Sequence, residues 1–379
     1  MSKKLPQGWK EYTLKECTTF LDGLRKPVKE QNRVPGPYPY YGANGIQGSI
    51  DSYIFDEELV LLAEDGGHFG SKEKPIAYMI EGKSWVNNHA HVLRANKGII
   101  TTKYLCKALS FYNVMKYVTG STRLKLTKGA AEKIILKVPP LEEQERIVSI
   151  LERAEGAISK REECNRLLDE LVKSRFIEMF GDPVINPKGW EKRKLADECN
   201  IVTGNTPSRK VDEYYGDYIE WIKSDNITNA GTYLTTAKEY LSEEGLKVGR
   251  SVEANSILMT CIAGSLKCIG NVAIADRMVS FNQQINGIET LDNNVFFMFE
   301  QFNLSQAYIQ STINMALKGI LSKSQLSELE FIFPPIEVQN EFAIFFKQVD
   351  KLKFEMQSSL EELQNNFNSL MQRAFNGEL

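Results

Sequence analysis

The sequence predicts a mixed α/β chain made of two related globular blocks, each followed by a long helix. Three observations carry this prediction. The phrase Val138-Pro139-Pro140-Leu141-Glu142-Glu143-Gln144 returns 195 residues later as Phe333-Pro334-Pro335-Ile336-Glu337-Val338-Gln339. The stretch PQGWKEYTLKECTTFLDG (6–23) returns 181 residues later as PKGWEKRKLADECNIVTG (187–204). After each Pro-Pro, apolar residues follow a four-three spacing for about ten steps, the signature of a helical seam. A period this long is not a solenoid. It divides the chain into blocks at 1–140 and 183–335 and helices at 141–182 and 336–379.

The bulk composition agrees. A chain of 379 residues with 42% hydrophobic content has room for two or three cored domains. No run of 18 apolar residues appears, and the N-terminus lacks a signal-peptide core. The six cysteines show no CxxC and no regular framework, as expected of free thiols in a reducing cytoplasm. Charge is uneven: the first block carries +8, the first helix −4, the second block −4 and the second helix −3. The first block therefore suits a polyanion and the second does not, on charge alone.

In the first block, Glu58–Ala63 reads as a buried strand ahead of the Gly66-Gly67 turn, and 101–118 as a helix. Three loops stand out. The first (24–33) holds Arg25, Lys26 and Lys29. The second (37–48) holds Tyr41, Asn44 and Gln47. The third (119–129) holds Arg123 and Lys125. Basic groups suit phosphates, amides suit adenine edges, and aromatic rings stack on bases.

The helix after this block is expected to start just past Pro139-Pro140, where proline is tolerated. Glu142 and Glu143 there complement the positive end of the helix. Gly181-Asp182-Pro183 should stop it. Its seam runs Ile147, Leu151, Ala154, Ile158, Arg161, Asn165, Leu168, Val172, Arg175 and Met179.

The second block repeats the plan. Asn255–Thr260 reads as a buried strand before Gly264, and 293–317 as helical. Its loops hold Ser208, Arg209 and Lys210, then Lys223 and Ser224 beside Trp221, then Lys318 and Lys323. Trp221 is expected in the core. The second helix carries the seam Phe342, Phe346, Val349, Lys353, Met356, Leu360, Leu363, Phe367, Leu370 and Ala374. Each helix is about 58 Å long at 1.5 Å per residue. One such rod cannot bury its seam alone. Two in one chain can pair, and pairing in antiparallel fashion gives a coiled coil within an internal pseudo-twofold repeat. Polar Arg161, Asn165, Arg175 and Lys353 would weaken the seam but fix its register.

Catalytic motifs are not found. Gly82-Lys83-Ser84 resembles the end of a phosphate loop, but Ala77 stands where its first glycine is needed. Asp65 with Glu81-Gly82-Lys83 matches a nuclease pattern too common to weigh. His89-x-His91 has no cysteine partner for a metal. The Pro-Pro pairs lack the Asn or Asp of an adenine methyltransferase motif, and no Gly-rich cofactor turn is visible.

The order of parts resembles the specificity (S) subunit of type I restriction–modification systems. So do LDELVKSRFIEMFGDP (168–183), TGNTPSR (203–209) and PKGWEKRKLADE (187–198). The resemblance implies two target recognition domains, each reading one half of a bipartite double-stranded DNA sequence. It implies that the paired helices set the unread gap and dock two methylase (M) subunits, with two restriction (R) subunits completing the complex. It implies no catalysis and no metal or cofactor on this chain. S-adenosylmethionine, ATP and Mg would sit on the partners, in a bacterial or archaeal cytoplasm with no membrane. The residues singled out in the six loops are then the candidate DNA contacts. Two other classes fit less of the chain. One is a duplicated coiled-coil adaptor without DNA contact, against which the basic first block argues. The other is a solitary DNA enzyme, for which the motifs are missing.

Overall fold

The computed structural model describes residues 5–71, 74–313 and 319–379. It divides into two compact units. One comprises the residues up to Lys160 together with Leu360–Leu379, the other Arg161–Ser359. Each unit thus owns a globular block and a stretch of both long helices.

The first unit holds three small sheets. One has the order Thr18–Phe20, Ala90–Ala95, Leu59–Ala63, Ala77–Ile80, all antiparallel. The second has the order Gly45–Ile50, Tyr38–Gly42, Lys83–Val86, Phe55–Asp56, with its central pair parallel. The third pairs Lys10–Thr13 with Ile135–Val138. Leu59–Ala63 is buried along its whole length, which is why its sequence is continuously apolar and does not alternate.

The second unit repeats this order. Its sheets are Cys199–Thr203, Ile285–Thr290, Ser256–Thr260, Val272–Ala275; then Tyr240–Leu241, Tyr215–Ile222, Val279–Phe281, Ser251–Val252; then Lys192–Lys194 with Glu330–Ile332. Its central pair in the second sheet, Tyr215–Ile222 with Val279–Phe281, is parallel too.

The short helices are briefer than the periodicity predicts. The helix expected over 101–118 spans Thr102–Ser110. The Ser110 hydroxyl bonds back to the carbonyl of Cys106, 2.8 Å, and its own carbonyl accepts the N–H of Ile76, so the turn leaves the helical path. The stretch 293–317 becomes Val295–Leu304 and Gln306–Ser311, broken at Ser305. Residues 314–317 at its end lie outside the described residues.

The long helices span Leu141–Phe180 and Ile336–Asn376. In the first unit, Ile147, Val148 and Leu151 join one core with Phe367, Met371 and Ala374, together with Tyr104 and Leu105 of the block. In the second unit, Val172, Phe176 and Phe180 join Phe342, Phe346 and Val349 around Phe297. Phe176 stacks on Phe297 at 5.4 Å and meets Phe342 edge-on at 5.3 Å. Each such buried ring is worth about 1.5–3 kcal/mol. Cross-helix contacts in this unit run in opposite order: Asn165 to Gln357, Asp169 to Lys353, Arg175 to Glu341.

The repeated phrases have distinct jobs at the helix ends. Gly181 takes φ +77° after the first helix, and a Cβ there would stand 2.7 Å from Pro187. The Trp190 indole N–H then caps the Phe180 carbonyl at 3.0 Å, and Lys188 donates to Met179 O at 2.9 Å. At the end of the second helix, Gly377 has φ +73° and packs against Pro6 and Trp9. The Pro-x-Gly-Trp segment is therefore a seat for a helix C-terminus, used once in each unit.

Candidate nucleic-acid interface

In the first unit the strand Leu59–Ala63 ends in two acids, Glu64 and Asp65, and the basic loops gather on them. Arg25 donates to Glu64 at 2.7 Å and to the Ala90 carbonyl at 2.6 Å, and lies 3.4 Å from Asp22. Its side chain is 12% exposed. Lys125 stands 3.1 Å from Glu64. Arg123 donates to Asp65 at 2.7 Å while remaining 64% exposed, and His89 Nδ1 faces the same carboxylate at 2.7 Å.

Beneath them, His91 is fully buried between the Asp22 carboxylate, 2.7 Å from Nδ1, and the Leu126 carbonyl, 2.8 Å from Nε2. Both ring nitrogens thus have a partner. Burial pushes the Asp22 carboxyl up, but the His91 hydrogen bond and charge, the Val92 N–H and Arg25 outweigh it and hold the group below its ordinary value. Glu64 behaves likewise: burial raises it, and Arg25 and Lys125 bring it below its ordinary value. Asp22, Glu64 and His91 present ligand-type atoms within 4.8 Å of one another. Two cations, the Arg25 guanidinium and the Lys125 ammonium, already lie within hydrogen-bond reach of Glu64, and both His91 nitrogens are engaged.

The amide loop joins the same place. Asn44 donates to the Gly66 carbonyl at 2.9 Å, and Gln47 accepts from Asn87 at 2.9 Å. Tyr41 is half-buried against Tyr78, whose hydroxyl bonds the Gly42 carbonyl. Lys26 and Lys29 are exposed on their loop, which the Trp85 indole pins by donating to the Lys26 carbonyl at 2.6 Å. Arg25, Asn44, Gln47, Arg123 and Lys125 thus converge on the segments 64–66 and 87–91. Arg25 is a half-buried clamp in that cluster; Lys26, Lys29, Asn44, Arg123 and Lys125 face solvent.

In the second unit the organiser is Glu239. Arg209 pairs with it at 2.5 Å, and Lys223 binds its other oxygen. Hydrogen bonds from Lys223 and Arg209 hold its carboxyl below the ordinary value. The Arg209 guanidinium lies over the rings of Tyr215, 4.3 Å, and Trp221, 5.0 Å. Trp221 is 3% exposed, so it is a core residue that lends one face to the cations. Ser208 and Lys210 are exposed on the same loop, and Ser224 opens the short helix Ser224–Thr228. Lys323 is exposed on the helix Lys323–Glu328 and no described bond ties it to that cluster. Lys318 lies outside the described residues.

Sequence reasoning missed the anchoring acids Glu64, Asp65 and Glu239. Acids between basic loops read as ordinary solvated residues, so nothing in the pattern marked them. It also missed Asn87 and Asn282, whose side chains each accept the N–H two residues on, 2.8 Å and 3.0 Å. Those two stand 195 residues apart, like the Pro-Pro phrases, and that offset could have revealed them.

The two units use this frame differently. Leu126 N–H bonds the Glu64 carbonyl, and Leu321 N–H bonds that of Cys261. Leu62 pairs with His91, and Met259 with Asn286. Where the first unit carries Glu64 and His91, the second carries Cys261 and Asn286, joined at 3.2 Å.

The family described as Type I restriction modification DNA specificity domain matches residues 6–167 and 187–365. A putative type I restriction enzyme specificity subunit of Haemophilus influenzae is 39% identical over 154 residues, covering 40% of this chain and 39% of that one. A type I restriction enzyme specificity subunit of Methanocaldococcus jannaschii is 21% identical over 99% of this chain and 94% of its own. The matches to the first three curated relatives span only 39%, 43% and 42% of those proteins' lengths. The S subunit of a type I restriction–modification system from M. genitalium shares the fold, with TM-score 0.61 at 11% identity over 99% of this chain and 97% of that one. Among the described residues no helix is long and apolar enough to cross a membrane. With both blocks and most of both long helices inside the matched ranges, the chain belongs to the type I restriction–modification DNA specificity family.

Proposed function

We propose that this chain is the DNA-reading, non-catalytic subunit of a type I restriction–modification complex, with each block reading one half of a bipartite double-stranded target. The observation that carries the reading is the duplication itself. The same three-sheet body occurs twice, each time with basic loops gathered on one carboxylate, Glu64 in the first unit and Glu239 in the second.

In the first block, Arg123, Lys125, Lys26 and Lys29 meet phosphates, Asn44, Gln47 and Tyr41 meet base edges, and Arg25 holds the loops from beneath. In the second, Arg209, Lys210, Lys223, Lys318 and Lys323 meet phosphates, with Ser208 and Ser224 beside them. The two helices pair along their seams as an antiparallel coiled coil, within a pseudo-twofold repeat, and set the unread gap. Half-sites one turn of DNA apart are about 34 Å from each other, and 40 helical residues reach about 60 Å.

The helices also dock two methylase subunits, and two restriction subunits complete the assembly in the cytoplasm. S-adenosylmethionine, ATP and Mg act on those partners and none of them on this chain. The test is an exchange of blocks. Replacing the first block by that of another family member should change one half of the methylated motif and leave the other half and the gap unchanged. A change in both halves, or in neither, contradicts the assignment.

A further inference from the structure

The duplication allows one unit to be read against the other, position by position. Thr101 caps the helix Thr102–Ser110 and Asn294 caps Val295–Leu304; Gln144 and Gln339 bind the two caps. Two residues past the cap, Lys103 pairs with Glu152 at 2.9 Å. At the matching places in the second unit, Lys347 lies over the Phe296 ring at 4.9 Å. One turn further, Lys107 pairs with Glu155 at 2.6 Å. The matching residues in the second unit are Glu300 and Asp350, both acids. The cation has been lost and a second carboxylate put in its place.

These acids line a cavity of about 500 Å³, together with Asp169, Lys173 and Lys353. Asp350 accepts from the Thr232 hydroxyl at 2.5 Å, and Lys353 is engaged by Asp169 at 2.5 Å. Glu300 is 5% exposed, and its Oε1 has no hydrogen-bond partner among the described residues. Burial pushes its carboxyl up to about 7, against the pull of Asn303, Lys173 and Lys353. A buried carboxylate oxygen without a partner is costly. A cation beside it would remove that cost. A bare metal ion fits poorly. The cavity is far larger than an ion, and among the described residues no three ligand atoms here come close enough to share one.

We propose that this cavity binds one organic cation, an ammonium or guanidinium group, held by Glu300 with Asp350 facing the same space. The group can come from a free amine or from a lysine or arginine of a bound partner. Both sources share the chemistry that Lys107 supplies covalently in the first unit.

The experiment is calorimetric titration of the full chain with agmatine at pH 8, for the wild type, Glu300→Gln and Glu300→Lys. For a free amine, the wild type binds one agmatine, Glu300→Gln weakens it at least tenfold, and Glu300→Lys abolishes it without lowering the melting temperature. A second arm measures association with the cognate methylase subunit, and this arm alone rests on the function proposed above. If agmatine does not bind but Glu300→Gln weakens methylase association at least tenfold, the cation is the partner's side chain. Agmatine binding equally to wild type and Glu300→Gln overturns the proposal. So does a wild-type chain that ignores agmatine while methylase association is unchanged in the variant. A wild-type chain that fails to bind methylase at all counts against the proposed function, and the agmatine arm then decides the cavity alone.

Discussion

The side-chain oxygen of Gln144 accepts the backbone N–H of Thr101 at 2.8 Å, fastening a long helix to the cap of a short one. The amide nitrogen of Gln144 donates to the carbonyls of Ile99 and Pro139. Gln339 likewise accepts the Asn294 N–H at 2.9 Å and donates to the Asn293 side-chain oxygen and the Pro334 carbonyl. Both glutamines are buried. The repeated Pro-Pro phrase is thus a joint, and its glutamine satisfies helix-end groups that would otherwise be orphaned. Gln144→Leu leaves the buried Pro139 carbonyl unpaired and the half-buried Thr101 N–H and Ile99 carbonyl with only partial recourse to water. Urea denaturation should show a loss of about 2–4 kcal/mol. A loss below about 0.5 kcal/mol would mean the joint is not structural.

Arg25 and Arg123 lie near the same acidic pair but in opposite situations. Arg25→Ala takes the guanidinium from half-buried Glu64 and Asp22, which keep Lys125 and His91, a change of about 1.5–3 kcal/mol. Arg123→Ala removes an exposed guanidinium from half-buried Asp65, which keeps His89, and should cost less than about 1 kcal/mol. In DNA binding by the assembled complex, Arg123→Ala should weaken all sequences alike and lower the salt slope by about 1. Thermal melts and a salt titration of the two variants separate the roles. Equal loss of stability in both would contradict the assignment of Arg25 as the clamp.

Asp22 and Glu64 are held below the ordinary values of 3.8 and 4.5. Their contribution to stability is therefore present above those values and fades as pH falls through the lower values of the folded state. The first unit should lose protection from hydrogen exchange as pH drops below about 4.5, at Val92 and Leu126 above all. Asp22→Asn should flatten that acid limb. An unchanged limb would remove these acids from the account.

Glu300 has the opposite sign. Its carboxyl is raised from 4.5 to about 7, so its contribution is full below 4.5 and lost as pH rises through about 7. The groups around it are Asp169 and Lys173 on the first long helix, Asp350 and Lys353 on the second, and Asn303 on its own helix. Without added amine, the wild type should lose on the order of 3 kcal/mol between pH 5 and pH 8 relative to Glu300→Gln. Denaturation midpoints of both proteins at the two pH values measure this. Parallel curves would show that Glu300 is not buried as a lone carboxylate.

The duplicated plan could be read from sequence because its signals are local. Pro-Pro before a helix, Gly-Asp-Pro after it and the four-three spacing all act within a few turns. The ten seam positions of each helix lie buried or half-buried. The packing of Phe176 and Phe180 escaped that spacing, because they meet Phe297 and Phe342, which only the tertiary fold brings near. The loops were visible as basic and amide-rich, but their internal order was not. Whether Arg25 reaches solvent or Glu64 depends on a strand 39 residues away. The internal comparison of Lys107 with Glu300 likewise needed the caps at Thr101 and Asn294 to set the register.

The duplication gives one chain two candidate readers. The most direct measurement is a genome-wide map of methylated adenine in cells co-expressing this chain with its cognate methylase. The account predicts a single split motif, with one methylated adenine in each half and an unspecified gap of fixed length. Methylation at one short continuous motif, or at sites without a constant gap, would contradict it.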